Sequence, residues 1–182
     1  ARFKNYPHEF SGGMRQRIMI AIALACEPQL LIADEPTTAL DVTVQMQILA
    51  LLQELRRKRG MSVVMVTHDF GVATNFCDKI VVMYGGQIME MADTDQFIRK
   101  TMHPYSLGLK RSIIEVGHRG KAIVPIPGAA KTMTQAPAGC PFAERCPYRT
   151  ERCDNEVPEL RKLNADHYIA CHRAEEVASL AV

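Results

Sequence analysis

The sequence predicts an α/β fold built around a mostly parallel sheet, followed by a loop-rich extension. Two apolar runs, residues 30–33 and 62–66, are continuous, as expected for strands that helices cover on both faces. Between them lies a segment whose apolar residues repeat at helical spacing. A Gly-Gly pair at 85–86 then joins two further apolar runs, which indicates a β-hairpin. Strand–helix–strand alternation closed by a hairpin is typical of the α/β class.

Two longer helices flank the first predicted strand. Ser11 is a suitable N-cap for the first helix, and Pro28 ends it. The face predicted to be buried carries Met14, Ile18, Ala21, Ile22 and Ala25. Asp41 opens the second helix, Gly60 closes it, and the predicted core positions are Val44, Ile48, Leu51, Leu52 and Leu55. The basic run at 56–59 falls in the last turn, so we interpret it as a dipole-matched helix end rather than a nucleic-acid patch.

The elements that follow are shorter. A helix around 70–76, hairpin strands at 79–84 and 87–91 and a helix near 93–100 complete the predicted α/β part. After about Thr101 the apolar periodicity fades and prolines become frequent. We therefore predict an α/β domain portion at residues 1–100 and an extension of different character at residues 101–182.

Composition limits the classes of function. A net charge of +2 and the absence of Trp do not favour nucleic acid as a partner. No apolar run approaches the roughly 20 residues that span a bilayer, and the first residues contain no apolar signal core. An organised motif begins almost at once, after Tyr6-Pro7-His8, so we expect this sequence to start within a longer protein.

Acidic and imidazole side chains follow the two predicted parallel strands. Asp34 and Glu35 come directly after the first strand, and His68 follows the second. Ligand groups collect at the carboxyl ends of strands in open α/β sheets. An Asp there suits Mg²⁺, a Glu can polarise a water, and a His can sense or position a terminal phosphate. Each residue alone is a weak signal, but the order of four motifs is specific: SGG before a helix, LLIADEP, ALD and VTHD.

This order of motifs resembles that of ABC-type ATPases over roughly residues 6–91. FSGGM at 10–14 is similar to the family's signature loop, although Phe and Met stand where the signature has Leu and Gln. LLIADE at 30–35 resembles the Walker B strand, ALD at 39–41 the D-loop, and His68 the switch histidine. The resemblance implies four roles: Mg²⁺ coordination by Asp34, water activation by Glu35, γ-phosphate contact by His68 and linkage of two sites across a dimer by Asp41.

The resemblance also implies a head-to-tail dimer of two ATPase subunits. Each ATP would lie between the phosphate loop of one subunit and the signature loop of the other, so Ser11, Gly12, Gly13 and Met14 would bind the partner's ATP. The 182 residues contain no G-x-x-x-x-G-K-[ST] phosphate loop. We therefore interpret the sequence as a C-terminal portion that is inactive alone and whose phosphate loop lies upstream.

A longer set of motifs is similar to the ATP-binding subunits of bacterial oligopeptide/dipeptide importers. The set comprises FSGGMRQR at 10–17, DEPTTALDVTVQ at 34–45, HPYSLGL at 103–109, IPG at 126–128 and CPF at 140–142. It implies a subunit at the cytoplasmic face of the bacterial cell membrane, where ATP hydrolysis powers the uptake of peptides. The implied partners are a second ATPase subunit in a heterodimer, two membrane permease subunits and an extracytoplasmic substrate-binding protein. Nickel and other importers share this tail, so another cargo is an alternative.

Two interpretations from other functional classes stay open. The chain could be a non-catalytic dimerisation or binding module, and a nucleotide-binding measurement would separate the two cases. A soluble ABC ATPase of DNA repair or translation is the second. The HPY segment and the cysteine-containing tail argue against it, and co-purification with membrane proteins would exclude it.

Four of the six cysteines lie in the extension, as C-x5-C-x6-C-x17-C at Cys140, Cys146, Cys153 and Cys171. In a proline-rich segment with little apolar core, a bound metal or cluster could supply stability. Zinc is one candidate, with His167 and His172 as further ligands, yet zinc sites usually contain a tight C-x2–4-C pair that is absent here. All-thiolate ligation also suits an iron–sulfur cluster. The resemblance to importer subunits that carry a [4Fe–4S] cluster on such a tail implies a cluster here, with zinc, unliganded thiols or disulfides as the alternatives. Cys26 and Cys77 are predicted to be small core residues.

Overall fold

The chain folds into two compact units, Ala1–Phe76 and Cys77–Val182. The structure is a computed structural model, which describes residues 4–112, 125–130, 133–164 and 166–180. The hairpin around Gly85 and Gly86 therefore belongs to the same unit as the C-terminal extension. The sequence pattern, in contrast, assigns this hairpin to the α/β part. The division into domains at residues 1–100 and 101–182 remains a prediction. Within the described ranges, no helix combines the length and apolarity needed to cross a membrane.

The first unit contains two parallel strands and three helices within its described residues. β1 pairs with β2 in register, with Leu30 opposite Ser62 and Asp34 opposite Val66. The bounds are a 3₁₀ turn at Pro7–Glu9, α1 at Gly12–Ala23, β1 at Leu30–Asp34, α2 at Val42–Arg59, β2 at Ser62–Val66 and α3 at Phe70–Phe76. The parallel pairing that the apolar runs predict is thus present.

The ends of α2 match the sequence prediction. The Asp41 carboxylate accepts a hydrogen bond from the Val44 N–H at 2.9 Å, which satisfies one of the unpaired donors of the first turn. Gly60 follows the last turn with φ 62°, in the left-handed region that glycine adopts without a Cβ clash. The apolar residues Ile48, Leu49 and Leu52 are buried along this helix.

Two burial predictions for the first unit are wrong. The buried side chains here are Ile20 in α1 and Leu24 at its C-cap, whereas Ile22, on the predicted face, is 69% exposed. This segment is apolar almost all round, so its spacing does not define one face. In β1 the burial alternates instead of covering both faces: Leu31 is buried and Ile32 is 67% exposed.

The second unit is built on an antiparallel sheet of order β3-β4-β6-β5. Gly85 and Gly86, with φ of 57° and 78°, form the predicted hairpin turn between β3 and β4. β5 and β6 come from the extension, and the sequence did not predict them. The bounds are β3 at Lys79–Tyr84, β4 at Gln87–Asp93, α4 at Thr94–Arg99, α5 at Pro104–Arg111, a 3₁₀ turn at Ala143–Arg145, α6 at Glu151–Asn155, β5 at Arg161–Asn164, β6 at His167–Ile169 and α7 at Ala174–Leu180.

A fully buried carboxylate, Glu90, joins β4 to β6 and to the start of α5. Its Oε1 lies 2.7 Å from His167 Nε2 and accepts from the Met102 N–H at 2.8 Å. Its Oε2 accepts from the His103 N–H at 3.1 Å. Glu90 and His167 are both 0% exposed, so these partners offset a desolvation cost that an unpaired buried charge would leave uncompensated.

His103, the first residue of the HPY segment, is the N-cap of α5. Its Nδ1 accepts from the Tyr105 N–H at 3.0 Å, and the ring bonds the backbone carbonyl of Ala170. Pro104 occupies the first turn, where its missing N–H costs nothing. Burial lowers the pKa of His103 to about 4. The imidazole is therefore neutral at pH 7, which leaves Nδ1 available as the cap acceptor.

Acid should destabilise the second unit through His103. An unfolded chain protonates this residue near its ordinary pKa of 6.5, but the folded chain does so only near 4. Unfolding therefore takes up a proton between these values, and the free energy of unfolding should fall by about 1.4 kcal/mol per pH unit as the pH drops through that window. The stability contribution is complete above pH 6.5. Denaturant melts followed by tyrosine fluorescence suit the measurement, since Tyr84, Tyr105, Tyr148 and Tyr168 all lie in this unit.

The matched variants are His103→Asn and His172→Asn. Asn can still cap the helix but does not titrate, so the first variant should flatten the pH dependence even if it lowers stability overall. The second should keep the wild-type slope. An unchanged slope in His103→Asn would show that another group governs acid unfolding.

Candidate functional site

The carboxyl ends of β1 and β2 lie at the same edge of the two-stranded sheet. β1 ends at Asp34, opposite Val66 at the end of β2. One residue further, the Glu35 N–H donates to the Val66 carbonyl at 2.9 Å, which carries the pairing past the end of the strand. His68 follows β2 after a single intervening residue, Thr67. The sheet thus brings the predicted glutamate and histidine together.

Glu35 contacts His68 directly. Its Oε1 lies 2.8 Å from His68 Nδ1, and its Oε2 accepts the Thr38 hydroxyl hydrogen at 2.5 Å. The hydrogen bond from Thr38, followed by that from His68, lowers the pKa of Glu35 below its ordinary value. The hydrogen bond to Glu35 and its negative charge raise the pKa of His68. At neutral pH the site therefore holds an ionised carboxylate beside an imidazole that is biased toward its charged form.

Asp34 and Asp41 occupy different environments. Asp34 is exposed at the strand end, and its carboxylate has no hydrogen-bond partner among the described residues. Such a carboxylate suits Mg²⁺, which binds to one or two protein oxygens and completes its shell with phosphate and water. Asp41 instead uses Oδ1 to cap α2. To link two sites across a dimer, as predicted, Asp41 would therefore have to use its other carboxylate oxygen or its backbone.

The Ser11–Met14 segment forms the start of α1, as predicted. Ser11 Oγ accepts from the Met14 N–H at 3.4 Å. A Cβ placed on Gly13 would lie 2.5 Å from Val44 Cγ1, whereas one on Gly12 would lie 3.1 Å from Leu40 Cδ2. Gly13 therefore allows α1 to pack closely on the start of α2. In the described residues, no hydrogen bond joins this segment to Glu35 or His68.

Three polar residues that support the site were not singled out from the sequence. Thr38 bonds Glu35, as described above. Asp69 caps α3 through the Val72 N–H at 3.1 Å and also accepts from Gln45 Nε2 at 3.3 Å. A Thr or Asp within four residues of a strand end is a common turn or cap signal, but the sequence does not specify which group that side chain will bond.

The four cysteines of the extension line one cavity in the second unit. Phe142, Tyr148, Pro158, His103 and Arg173 also contribute to its wall, which consists mainly of apolar atoms. Backbone contacts hold the cysteine segments together, for example the Cys140 N–H bonded to the Cys153 carbonyl at 2.7 Å. A Cβ on Gly139 would lie 2.3 Å from that same carbonyl, so glycine permits the close approach. Cys26 is exposed, contrary to its predicted core position.

Three thiols of this cavity, those of Cys140, Cys146 and Cys171, are held in their protonated form. Burial raises the pKa of Cys140, raises that of Cys146 to about 12 and raises that of Cys171 to about 11. Repulsion that would arise between neighbouring thiolates at Cys171, Cys140 and Cys153 further disfavours ionisation of Cys146. Among the described residues, no three His, Cys, Asp or Glu side chains are grouped tightly enough to hold a single metal ion.

Two family models match the chain. Residues 1–38 match the ABC transporter family, and residues 89–153 match the family described as oligopeptide/dipeptide transporter, C-terminal region. The chain is 49% identical over 175 residues to the oligopeptide transport ATP-binding protein OppD of Salmonella typhimurium, a match that covers 96% of this chain and 52% of that protein. The chain is thus similar, along nearly its whole length, to ATP-binding proteins of oligopeptide and dipeptide ABC transporters.

A second relative supports the same family. The dipeptide transport ATP-binding protein DppD of Bacillus subtilis is 46% identical over 181 residues, across 100% of this chain and 54% of its own length. The chain thus spans about half the length of the curated relatives it matches. Among solved structures, an ATP-binding cassette of an ABC transporter is 23% identical with a TM-score of 0.52, over 59% of this chain and 43% of that chain. This likeness supports the fold alone.

The close packing at Gly13 leads to a stability prediction. Gly13→Ala should destabilise the first unit by about 1–3 kcal/mol through the clash with Val44, despite the higher helix propensity of Ala. Gly12→Ala meets only a flexible side-chain end and should cost less. Thermal or denaturant unfolding of the single variants measures both effects.

A double-mutant cycle with Val44→Ala tests the cause. Removing the valine methyl groups should restore much of the stability that Gly13→Ala loses, giving a coupling between the two positions. Additive losses would mean that the cost arises elsewhere than at the contact of these two residues.

Proposed function

We propose that these residues form part of the ATP-hydrolysing subunit of an ABC importer that powers uptake of oligopeptides or dipeptides. The observation that supports this proposal most directly is the contact between Glu35 and His68 at the shared edge of β1 and β2. A carboxylate beside an imidazole suits water activation next to a terminal phosphate. The relatives named as oligopeptide and dipeptide transport proteins supply the substrate class.

Glu35 and His68 would have different roles at the γ-phosphate of ATP. Glu35 is ionised at neutral pH, and each of its oxygens keeps a lone pair beyond the bonds from Thr38 and His68. It can therefore accept the proton of an attacking water. His68 is engaged through Nδ1, and 78% of its side chain is exposed, so Nε2 is the nitrogen available to donate to phosphate. A donor at that point stabilises the charge that spreads over the phosphate oxygens in the transition state.

Asp34 would hold Mg²⁺ at the same edge. When bound, the ion neutralises phosphate charge. The exposed carboxylate at a strand end is compatible with this role, because Mg²⁺ takes few protein ligands and much of its shell from phosphate and water. A group of three protein ligands is not needed.

The segment Ser11, Gly12, Gly13 and Met14 would bind the ATP of a second subunit. It forms the start of a helix, where backbone N–H groups and the helix dipole favour phosphate. Two such subunits would stack head to tail, as a heterodimer, with Asp41 near the shared interface. The assembly would sit at the cytoplasmic face of the bacterial membrane on two permease subunits, with an extracytoplasmic protein delivering the peptide.

The four-cysteine cavity would hold a [4Fe–4S] cluster. The donor set is suitable, because four thiols from separate segments line one apolar cavity. When bound, the cluster would cross-link these segments and supply stability that the proline-rich chain lacks. Zinc is the alternative, although its sites usually contain a tight C-x2–4-C pair, whereas the four cysteines here are spaced C-x5-C-x6-C-x17-C.

Glu35→Gln in the full-length subunit should nearly abolish ATP hydrolysis and preserve ATP binding. The amide keeps the shape of the side chain but cannot accept a proton, and losses of this kind are about 10²–10⁴-fold. Glu54→Gln on the exposed face of α2 is the control and should keep wild-type turnover. Phosphate release and nucleotide binding are measured side by side. Normal turnover in Glu35→Gln would rule out this residue as the base.

The cluster can be tested on this chain alone. Protein purified without oxygen should be brown and carry about four irons per chain. Serine at any one of the four cysteine positions should lower the iron content and expose the tail to proteolysis. Cys26→Ser and Cys77→Ser, which change thiols outside the cavity, should do neither. One zinc and no iron would select the alternative metal, and a metal-free, protease-resistant tail would remove the site.

A further inference from the structure

The second oxygen of the Glu35 carboxylate is held by a residue that has no role so far. Thr38 donates its hydroxyl hydrogen to Oε2 at 2.5 Å, while His68 lies 2.8 Å from Oε1. Without Thr38 the carboxylate would be fixed at one oxygen only. The terminal torsion of a glutamate is broad, so a single bond leaves the group able to rotate about its last carbon–carbon bond.

The backbone around Thr38 is shaped so that its hydroxyl reaches the glutamate. The Thr38 N–H donates to the Glu35 carbonyl at 3.2 Å, and the Leu40 N–H donates to the Thr37 carbonyl at 3.3 Å, so the chain makes two successive turns. Glu35 and Ala39 adopt φ of 47° and 62°, which non-glycine residues rarely do. Strain of this kind persists only where the surrounding structure holds it. Thr37 between them is buried.

A threonine hydroxyl in a turn usually bonds nearby backbone. Here it bonds the side chain of a residue three positions earlier, in addition to the bond from its own N–H to the backbone of that residue. Thr38 thus contacts both the backbone carbonyl and the side-chain carboxylate of Glu35. The N–H bond closes the turn, and the hydroxyl bond holds the carboxylate.

We propose that Thr38 is a positioning residue that fixes the orientation of the Glu35 carboxylate for water activation. The inference rests on the proposed function of Glu35 as the base. Thr38 acts through Glu35 and need not touch ATP, water or Mg²⁺. Its loss should therefore lower the rate of the chemical step and leave ATP binding nearly intact. A base that is displaced or rotated can cost about 10–10²-fold in rate.

The test compares Thr38→Val with Thr38→Ser in the full-length transporter. Val keeps the β-branched shape and removes the hydroxyl, whereas Ser keeps the hydroxyl and removes a methyl group. Thr38→Val should lower kcat for ATP hydrolysis at least about tenfold and change KM by less than about twofold. Thr38→Ser should recover at least about half of the wild-type kcat. Thr74→Val is the matched control, because its hydroxyl also donates, to the Phe70 carbonyl, but lies outside the site.

A further comparison separates positioning from a local structural role. In a Glu35→Gln background, Thr38→Val should cause little additional loss, because the group through which it acts has gone. Wild-type kcat in Thr38→Val, an equal loss in Thr38→Ser, or a full further loss in the Glu35→Gln background would each overturn the inference. A wild-type transporter that does not hydrolyse ATP would instead refute the proposed function itself, so the two failures are distinguishable.

Discussion

The register between β1 and β2 is the constraint on which the candidate hydrolytic site depends. Asp34 lies opposite Val66, so Glu35 and His68 emerge at one edge of the sheet. A slip of one residue would displace them by about 3.3 Å and turn every side chain of the strand to the other face. The burial of Leu31 and Ala33 on one face opposes that slip. The apolar residues of the strand therefore favour the register that produces the 2.8 Å contact between Glu35 and His68.

The edge beyond β1 is less favourable for the backbone than the strand itself. Two non-glycine residues, Glu35 and Ala39, adopt left-handed φ values within five positions, and each such residue costs on the order of 1–3 kcal/mol. Their conformations are held by the Glu35–Val66 backbone bond, by the turn at Thr38 and by the capping of α2 by Asp41. The segment from Glu35 to Ala39 is thus stabilised by parallel strand pairing before it and by the capped helix α2 after it. In isolation it would not keep this conformation.

The sequence predicted those parts of the fold that local chemistry determines. Asp41 and Gly60 mark the ends of α2 because capping and left-handed φ depend on neighbouring residues only. It could not predict that Glu90 pairs with His167, since 77 residues separate the two and no local pattern marks either one. The prediction of the buried face of α1 was wrong for another reason. Apolar residues lie on nearly all sides of this helix, so their spacing alone does not predict that Ile20 rather than Ile22 is buried.

The candidate sites show the same division. Glu35 and His68 were predicted because strand ends are readable from apolar runs, whereas the bond from Thr38 depends on a turn geometry that composition does not specify. The cysteine pattern indicated a shared site, yet only the fold shows that all four thiols line one cavity.

Two kinds of interaction stabilise the second unit, a buried polar pair and an apolar cluster. Glu90 and His167 hold β6 on β4. Phe142, 1% exposed, packs on Tyr84 and Met89 and also on Cys140 and Cys146, so one wall of this apolar cluster is made of thiol-bearing chain. Because the pKa values of the Cys146 and Cys171 thiols are raised, binding of the proposed cluster would have to displace protons, so its affinity would fall in acid. Loss of the proposed cluster would then affect the packing around Phe142, which contacts Cys140 and Cys146, more than the sheet, which keeps its buried Glu90–His167 pair.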